Sequence, residues 1–265
     1  MDAIENDFLT PNWPAPPSVR ALCSTRAGGV SLGAYASLNL GDHVGDAPAA
    51  VAENRQRFAA QLQAHPVFLQ QVHGNICLAL DTATAKGSVA DACSTAESNL
   101  ACTIMVADCL PVLFCNTTGT RVAAAHAGWR GLAHGVLENT LRSFAPDDKI
   151  IAWLGPCIGQ AAFEVGSEVR AAFVQRYPAF AAQHFVAGQQ ADKYQCDLSG
   201  LARAILQAAG VASISGNDGA AAWCSYTNEA LWFSHRRESQ LGAQSGRLAA
   251  SVWLAACQAG RASSV

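Results

Sequence analysis

The stretch at residues 100–135, LACTIMVADCLPVLFCNTTGTRVAAAHAGWRGLAHG, sets the terms for any fold this chain can adopt. Two apolar runs, residues 101–106 and 110–115, flank Asp108 and Cys109. A polar turn at 116–120 leads into a third strand-like run, 121–127, with His126 near its end. Strands that run into Gly-punctuated turns, with Cys or His at their tips, commonly carry chemistry. The same residues also describe a buried core hairpin with a structural thiol and a satisfied histidine, because free Cys is among the most buried residue types.

With 265 residues the chain can bury a substantial core without staples, as one large domain or two small ones. A net charge of -3 leaves no broad basic surface, which argues against a nucleic-acid binder but allows a compact basic pocket for a small anion. No stretch is apolar for the roughly 18 residues that span a bilayer. The opening MDAIENDFLTPNWP is acidic and polar, unlike a secretory signal, so a cytoplasmic protein with no membrane partner is expected. The ten cysteines include no CxxC pair, and most are expected as free core thiols rather than a disulfide framework.

Pro11, Pro14, Pro16 and Pro17 suit an extended lead-in over residues 1–17. Strands are expected at 19–25, 67–72, 121–127 and 150–154, and helices at 48–63, 131–144, 165–177 and 198–209. Pro48 opens the first helix; Asp197 or Ser199 starts the last and Gly210 stops it. Residues 221–226, 231–235 and 247–256 read as late strands, the last with a helix as alternative. With no linker or repeat, the economical reading is one compact α+β domain, residues 1–265, built on mixed sheets.

His73, Cys109 and His126 stand at strand ends. Imidazole nitrogens and a thiolate are ligands that Zn²⁺ prefers, and three protein ligands leave a position open for water or substrate. The same residues also fit a metal-free site with Cys109 as nucleophile, His126 as its base, and Asp108 or His73 orienting it. Gly128, Trp129, Arg130 and Gly131 follow, as if opening a helix whose amides and Arg130 would favour an anion. Alternatively, the glycines only permit close packing and Arg130 pairs with an acid. Arg26, Asn39 and Gln71, on Gly-rich turns, could contact substrate, although Asn39 could cap its own turn. His235, Arg236 and Arg237 could add positive charge to the same cleft or form a solvated edge. Trp129 or Phe163 could stack on an aromatic ring or serve the core. There is no GxGxxG or GxxxxGK[ST] pattern, so neither a dinucleotide fold nor a P-loop is supported.

The segments STRAGGVS from Ser24, SLNLG from Ser37, QVHG from Gln71, ADCLPV from Ala107 and AHAGWRG from Ala125 occur in an order that resembles the YfiH-type laccase-domain family. GPCIG from Gly155, FEV from Phe163 and SHRR from Ser234 extend the resemblance across roughly residues 18–255. The resemblance implies a layered α/β/β/α mixed-sheet sandwich, similar to the cysteine-hydrolase fold. It implies a zinc-dependent purine nucleoside enzyme that phosphorolyses adenosine, inosine and methylthioadenosine and deaminates adenosine, with copper as the other candidate metal. The family's metal triad falls on His73, Cys109 and His126. Cys109, His126 and Asp108 would then do the chemistry, Asp108 handling protons. Arg26, Asn39, Gln71, Gly128, Trp129, Arg130, His235 and Arg236 are the substrate-binding candidates. Partners would be a small nucleoside and phosphate, with the protein a monomer or homodimer. Two family labels give alternatives: a Cys-dependent hydrolase or amidase editing a muramyl nucleotide of peptidoglycan synthesis, and a copper polyphenol oxidase. Seven histidines are few for the latter, which needs clustered pairs. Beyond Arg237 the family's Asp-Gly is replaced by Glu238-Ser239, and a longer polar loop leads to Ser245, Gly246 and Arg247.

Overall fold

The computed structural model describes residues 2–5 and 7–256; Cys257 lies outside them. The chain begins with strands β1 (Ala3–Glu5), β2 (Phe8–Thr10) and β3 (Val19–Ser24), then helix α1 (Pro48–Leu62) and strand β4 (His65–Phe68). Strands β5 (Cys77–Ala79), β6 (Ala92–Thr95), β7 (Leu100–Val106), β8 (Leu110–Asn116) and β9 (Val122–Ala127) precede short helices α2 (Trp129–Ala133) and α3 (Val136–Leu141). The middle of the chain runs β10 (Ile150–Leu154), β11 (Glu164–Gly166), α4 (Ser167–Arg176), β12 (Phe185–Ala187) and β13 (Lys193–Cys196). It ends with α5 (Leu198–Ala208), β14 (Ser213–Gly216), α6 (His235–Gln240) and β15 (Leu248–Leu254).

Two six-stranded mixed sheets form the centre, in the orders β1-β2-β3-β15-β7-β4 and β14-β10-β8-β9-β6-β5, beside a small sheet β11-β13-β12. Successive side chains on a strand point to opposite faces. In β7, Cys102, Ile104 and Val106 therefore meet Leu113, Cys115, Ile151 and Trp153 of the second sheet. Its alternate residues Ala101 and Met105 meet Phe58 and Leu62 of α1. On the far side, Leu110, Val112, Phe114 and Leu154 pack against Leu132, Val136, Leu201 and Ile205 of α2, α3 and α5. The layers are α/β/β/α. Because both faces are covered, β7 and β8 read as unbroken apolar runs rather than alternating ones. Among the described residues, no helix is long and apolar enough to cross a membrane.

Several elements differ from the sequence expectation. The helix expected at 131–144 is broken: Gly135 has φ +86°, ending α2 and starting α3 anew. The strand expected at 67–72 ends at Phe68, and its last residues turn into the site. Glu164–Gly166 pairs with β13 before α4 begins, where a helix was expected from 165. The strands expected at 221–226 and 231–235 are instead a 3₁₀ turn, Ala221–Trp223, and the approach to α6. There Ser234 caps α6 by accepting the Arg237 amide at 3.1 Å, a polar demand that apolar Trp232 and Phe233 concealed. Residues 248–254 are a strand, not a helix, paired with both β3 and β7. Asp197, rather than Ser199, caps α5 by accepting the Gly200 amide at 2.8 Å.

Candidate metal centre and cleft

The chain passes from one central sheet to the other between β7 and β8, and Asp108 and Cys109 occupy that crossing. Asp108 has φ +82°, and its carbonyl accepts the Ile158 amide at 2.9 Å. Neighbouring β9 carries buried His126 opposite Pro111. His73 reaches the same point from the loop after β4, with φ +59°. The ligand atoms of His73, Cys109 and His126 lie within 4.8 Å of one another. His73 Nε2 is 3.8 Å from Cys109 Sγ. Tetrahedral Zn–S and Zn–N bonds place sulfur and nitrogen about 3.5 Å apart, so the three donors fit such an ion with little adjustment. Two imidazoles and a thiolate also form the equatorial set of a blue-copper site, which ordinarily adds an axial Met. Here Met105 Sδ is turned toward Arg55 Nη2, at 3.8 Å.

One buried carboxylate organises both histidines. Asp91 Oδ1 is 2.8 Å from His126 Nδ1, which leaves Nε2 as the ring atom free for a metal. Asp91 also accepts the amides of Val72 at 3.1 Å, His73 at 2.8 Å and Gly74 at 2.6 Å. These bonds draw the loop out of β4 and hold His73 in its left-handed turn. Burial alone would raise the Asp91 carboxyl, but His126 and the Gly74 and Val72 amides outweigh it and hold it below the usual range.

The thiol responds in the same way. Burial pushes Cys109 up, yet the imidazoles of His126 and His73 bring it down to about 6. Burial would lower His126, whereas the Cys109 thiolate and Asp91 raise it to about 9. Without metal the pair is thus thiolate and imidazolium. Burial drives Cys23, Cys102, Cys115, Cys157 and Cys196 the other way, so only neighbours distinguish Cys109 from these core thiols.

A cleft of about 450 Å³ opens over the triad. Gln71, Asp108, Trp129, Arg130, His235 and Arg236 all line it. Gln71 is also fixed to the first sheet, exchanging bonds of 2.8 Å with the Met105 amide and carbonyl. Asp108 accepts the Ser225 hydroxyl and the Arg236 amide, each at 2.6 Å, so both its oxygens are engaged. Gly128 is buried behind the ligands, where a Cβ would stand 2.8 Å from Cys109 Sγ. Gly131 lies against the Gly74 carbonyl. Both glycines permit close packing at these positions, while Arg130 forms no salt bridge with an acid among the described residues. The helix they open, α2, has five residues and too little dipole to make an anion site. Arg130 is exposed over the Trp129 ring, 4.5 Å from its centroid.

Arg26 and Asn39 do not line the cleft. Arg26 ties two loops together through the Ala36 and Glu229 carbonyls at 2.9 and 3.1 Å. Asn39 is buried and caps its own turn, bonding the Gly41 amide at 2.9 Å, and also accepts the Arg247 amide at 2.8 Å. Arg237 folds inward onto the carbonyls of Ser225, Tyr226 and Trp232. The sequence reading placed residues 90–95 in a surface or site-lining segment and His43 on a Gly-rich turn, but singled out none of Asp91, His43 and Arg247 as a site residue. Of these, His43 and Arg247 line the cleft. Two signals existed: an acid inside the small-residue run 90–95, and the altered segment before β15.

A family described as multi-copper polyphenol oxidoreductase laccase matches residues 20–255. The chain belongs to this laccase-domain family. Relatives in the family carry another name. A purine nucleoside phosphorylase of Pseudomonas aeruginosa is 49% identical over 250 residues, covering 94% of this chain and 99% of the relative. The purine nucleoside phosphorylase YfiH of Escherichia coli is also 49% identical over 250 residues, covering 93% and 98%. A Neisseria meningitidis protein of known structure superposes with a TM-score of 0.87 at 46% identity, covering 94% of this chain and 99% of its own. YlmD of Geobacillus stearothermophilus superposes at 0.84 with 30% identity, covering 96% and 98%.

Proposed function

We propose that this protein is a zinc-dependent, cytoplasmic purine nucleoside enzyme that phosphorolyses adenosine, inosine and methylthioadenosine and deaminates adenosine. The observation that carries the reading is one cleft that holds a His–Cys–His donor set beside three arginines, Arg130, Arg236 and Arg247. None of the three forms a salt bridge among the described residues. The relatives' shared name supports a nucleoside and phosphate as substrates.

In phosphorolysis a phosphate oxygen attacks ribose C1′ and the purine leaves. The arginines hold and orient the phosphate dianion; the Arg247 main chain is tied to Asn39, and its guanidinium donates to the Ser245 and Gly246 carbonyls at 2.9 and 3.1 Å. Trp129, Phe163, Ile158 and Leu198 offer an apolar wall for a purine face. Zinc in the triad would supply Lewis acidity and lower the pKa of water in the cleft, as deamination at purine C6 requires. Asp108, with both oxygens occupied, anchors the start of α6 rather than carrying a proton. Purified protein given adenosine, with and without phosphate, tests both activities. No loss of adenosine, or unchanged turnover in Cys109→Ala, removes the reading.

A second reading rests on the thiolate–imidazolium pair at Cys109 and His126, which is how cysteine nucleophiles are activated. In a hydrolase or amidase acting on a muramyl nucleotide, the arginines would bind the diphosphate. Its activity would survive chelation and be lost on alkylation. Polyphenol oxidation with copper draws on the family's description alone. Among the described residues the triad is the one cluster of three or more candidate ligands, fewer than a multicopper centre requires.

A further inference from the structure

We infer that Asp91 is a positioning residue that preassembles two of the three metal ligands, fixing which nitrogen of His126 binds and where His73 stands. The inference rests on the metal reading above and adds a residue outside the ligand set. Its warrant is the geometry of a single carboxylate, fully buried, that receives four bonds. One comes from His126 Nδ1 at 2.8 Å, and three come from the consecutive amides of Val72, His73 and Gly74 at 3.1, 2.8 and 2.6 Å. The backbone adds a further tie, as the Asp91 carbonyl accepts the His126 amide at 2.7 Å.

Each bond has a separate consequence. The imidazole has two nitrogens, and a carboxylate on Nδ1 keeps the proton there, which commits Nε2 to the cleft. His73 is held at φ +59°, a conformation that a bulky side chain seldom adopts unless its surroundings impose it. Three amide donors converging on the Asp91 oxygens impose it. Without them the loop would be free to continue the extended path of β4, whose last paired residue is Phe68. The His73 ring would then leave the neighbourhood of Cys109. Asp91 therefore acts on both histidines at once, although His126 stands on a strand of one sheet and His73 on the loop that leaves a strand of the other.

Asp91→Asn is the direct test. It keeps the shape and one acceptor but turns a donor NH₂ toward two of the four donors, because each Asp91 oxygen receives two of the bonds. Zinc affinity, measured by competition with a chromophoric chelator, should fall by about 10- to 100-fold, the usual range for carboxylates behind a metal-bound histidine. A second measurement needs no variant. In zinc-loaded wild-type protein with ¹⁵N-labelled histidine, long-range ¹H–¹⁵N spectra should show His126 bound through Nε2, with a protected Nδ1 proton. A purely structural Asp91 would leave that signature open to either nitrogen. Zinc on His126 Nδ1, or Asp91→Asn within twofold of wild-type affinity, overturns the inference while leaving the metal centre standing. Wild-type protein that takes up no zinc overturns the metal reading itself, and this inference with it.

Discussion

Cys109 sits between two imidazoles, and its reactivity should therefore differ from that of the core thiols. In metal-free protein, alkylation by iodoacetamide should rise with pH as the thiolate forms, reach half its plateau near pH 6, and be flat above about pH 7. Added zinc should suppress it. A midpoint in the ordinary thiol range of about 8.5 would show that the imidazoles do not hold the thiolate. Gly128 makes the complementary case. A methyl group there would stand 2.8 Å from Cys109 Sγ and 3.0 Å from His73 Cδ2. Gly128→Ala should keep the fold and lose about 10-fold or more in zinc affinity, read by chelator competition. His73, Cys109 and His126 were legible as candidate ligands by residue type, and the family resemblance joined them as a metal triad; the structure brings the three together at one cleft. Asp91 was not legible, because its partners lie 17 to 35 positions away and a lone acid among small residues shows no period.

At the scale of elements, the apolar runs identified β7, β8, β9 and β10 because burial on both faces leaves no ambiguity of pattern. The failures came where a single residue decides, by its backbone conformation or by one polar contact. Gly135 breaks one helix in two, and Ser234 starts a helix inside a run that looks like a strand. Capping is therefore measurable here. Asp197 closes the first turn of α5, bonding Gly200 and Ser199 with His184 beside it at 3.5 Å. Burial pushes its carboxyl up, but His184, the Gly200 amide and Ser199 outweigh that and hold it low. A carboxyl depressed on folding contributes stability above its unfolded pKa of about 4, and loses it as pH falls through the folded value. Asp197→Ala should cost about 1 kcal/mol at neutral pH. The wild-type and variant melting temperatures should draw together as acid protonates the wild-type residue. A gap that stays constant into acid would assign the loss to packing rather than to the charged cap.

For the whole molecule the informative quantity is where charge gathers. A chain with a net charge of -3 places Arg130, Arg236 and Arg247 in one cleft, and among the described residues none of their guanidinium groups forms a salt bridge. That arrangement could not be read from composition, which averages the surface. Nor could it be read from local pattern, because Arg247 opens into the cleft only after β15 pairs with β3 and β7 across most of the chain. A focused positive cleft attracts an anion over distances that salt screens, with a Debye length of about 10 Å at 0.1 M. A neutral nucleoside does not feel this field. Raising ionic strength from about 0.02 to 0.2 M should therefore increase the KM for phosphate several-fold and leave the KM for inosine nearly unchanged. Arg247→Ala should raise the phosphate KM by about 10-fold or more, because a half-buried guanidinium in the cleft makes charge-assisted bonds that water replaces poorly. It should also flatten the salt dependence. If salt shifts both KM values alike, the arginines serve some group other than phosphate, and a substrate carrying its own diphosphate becomes the one to assay.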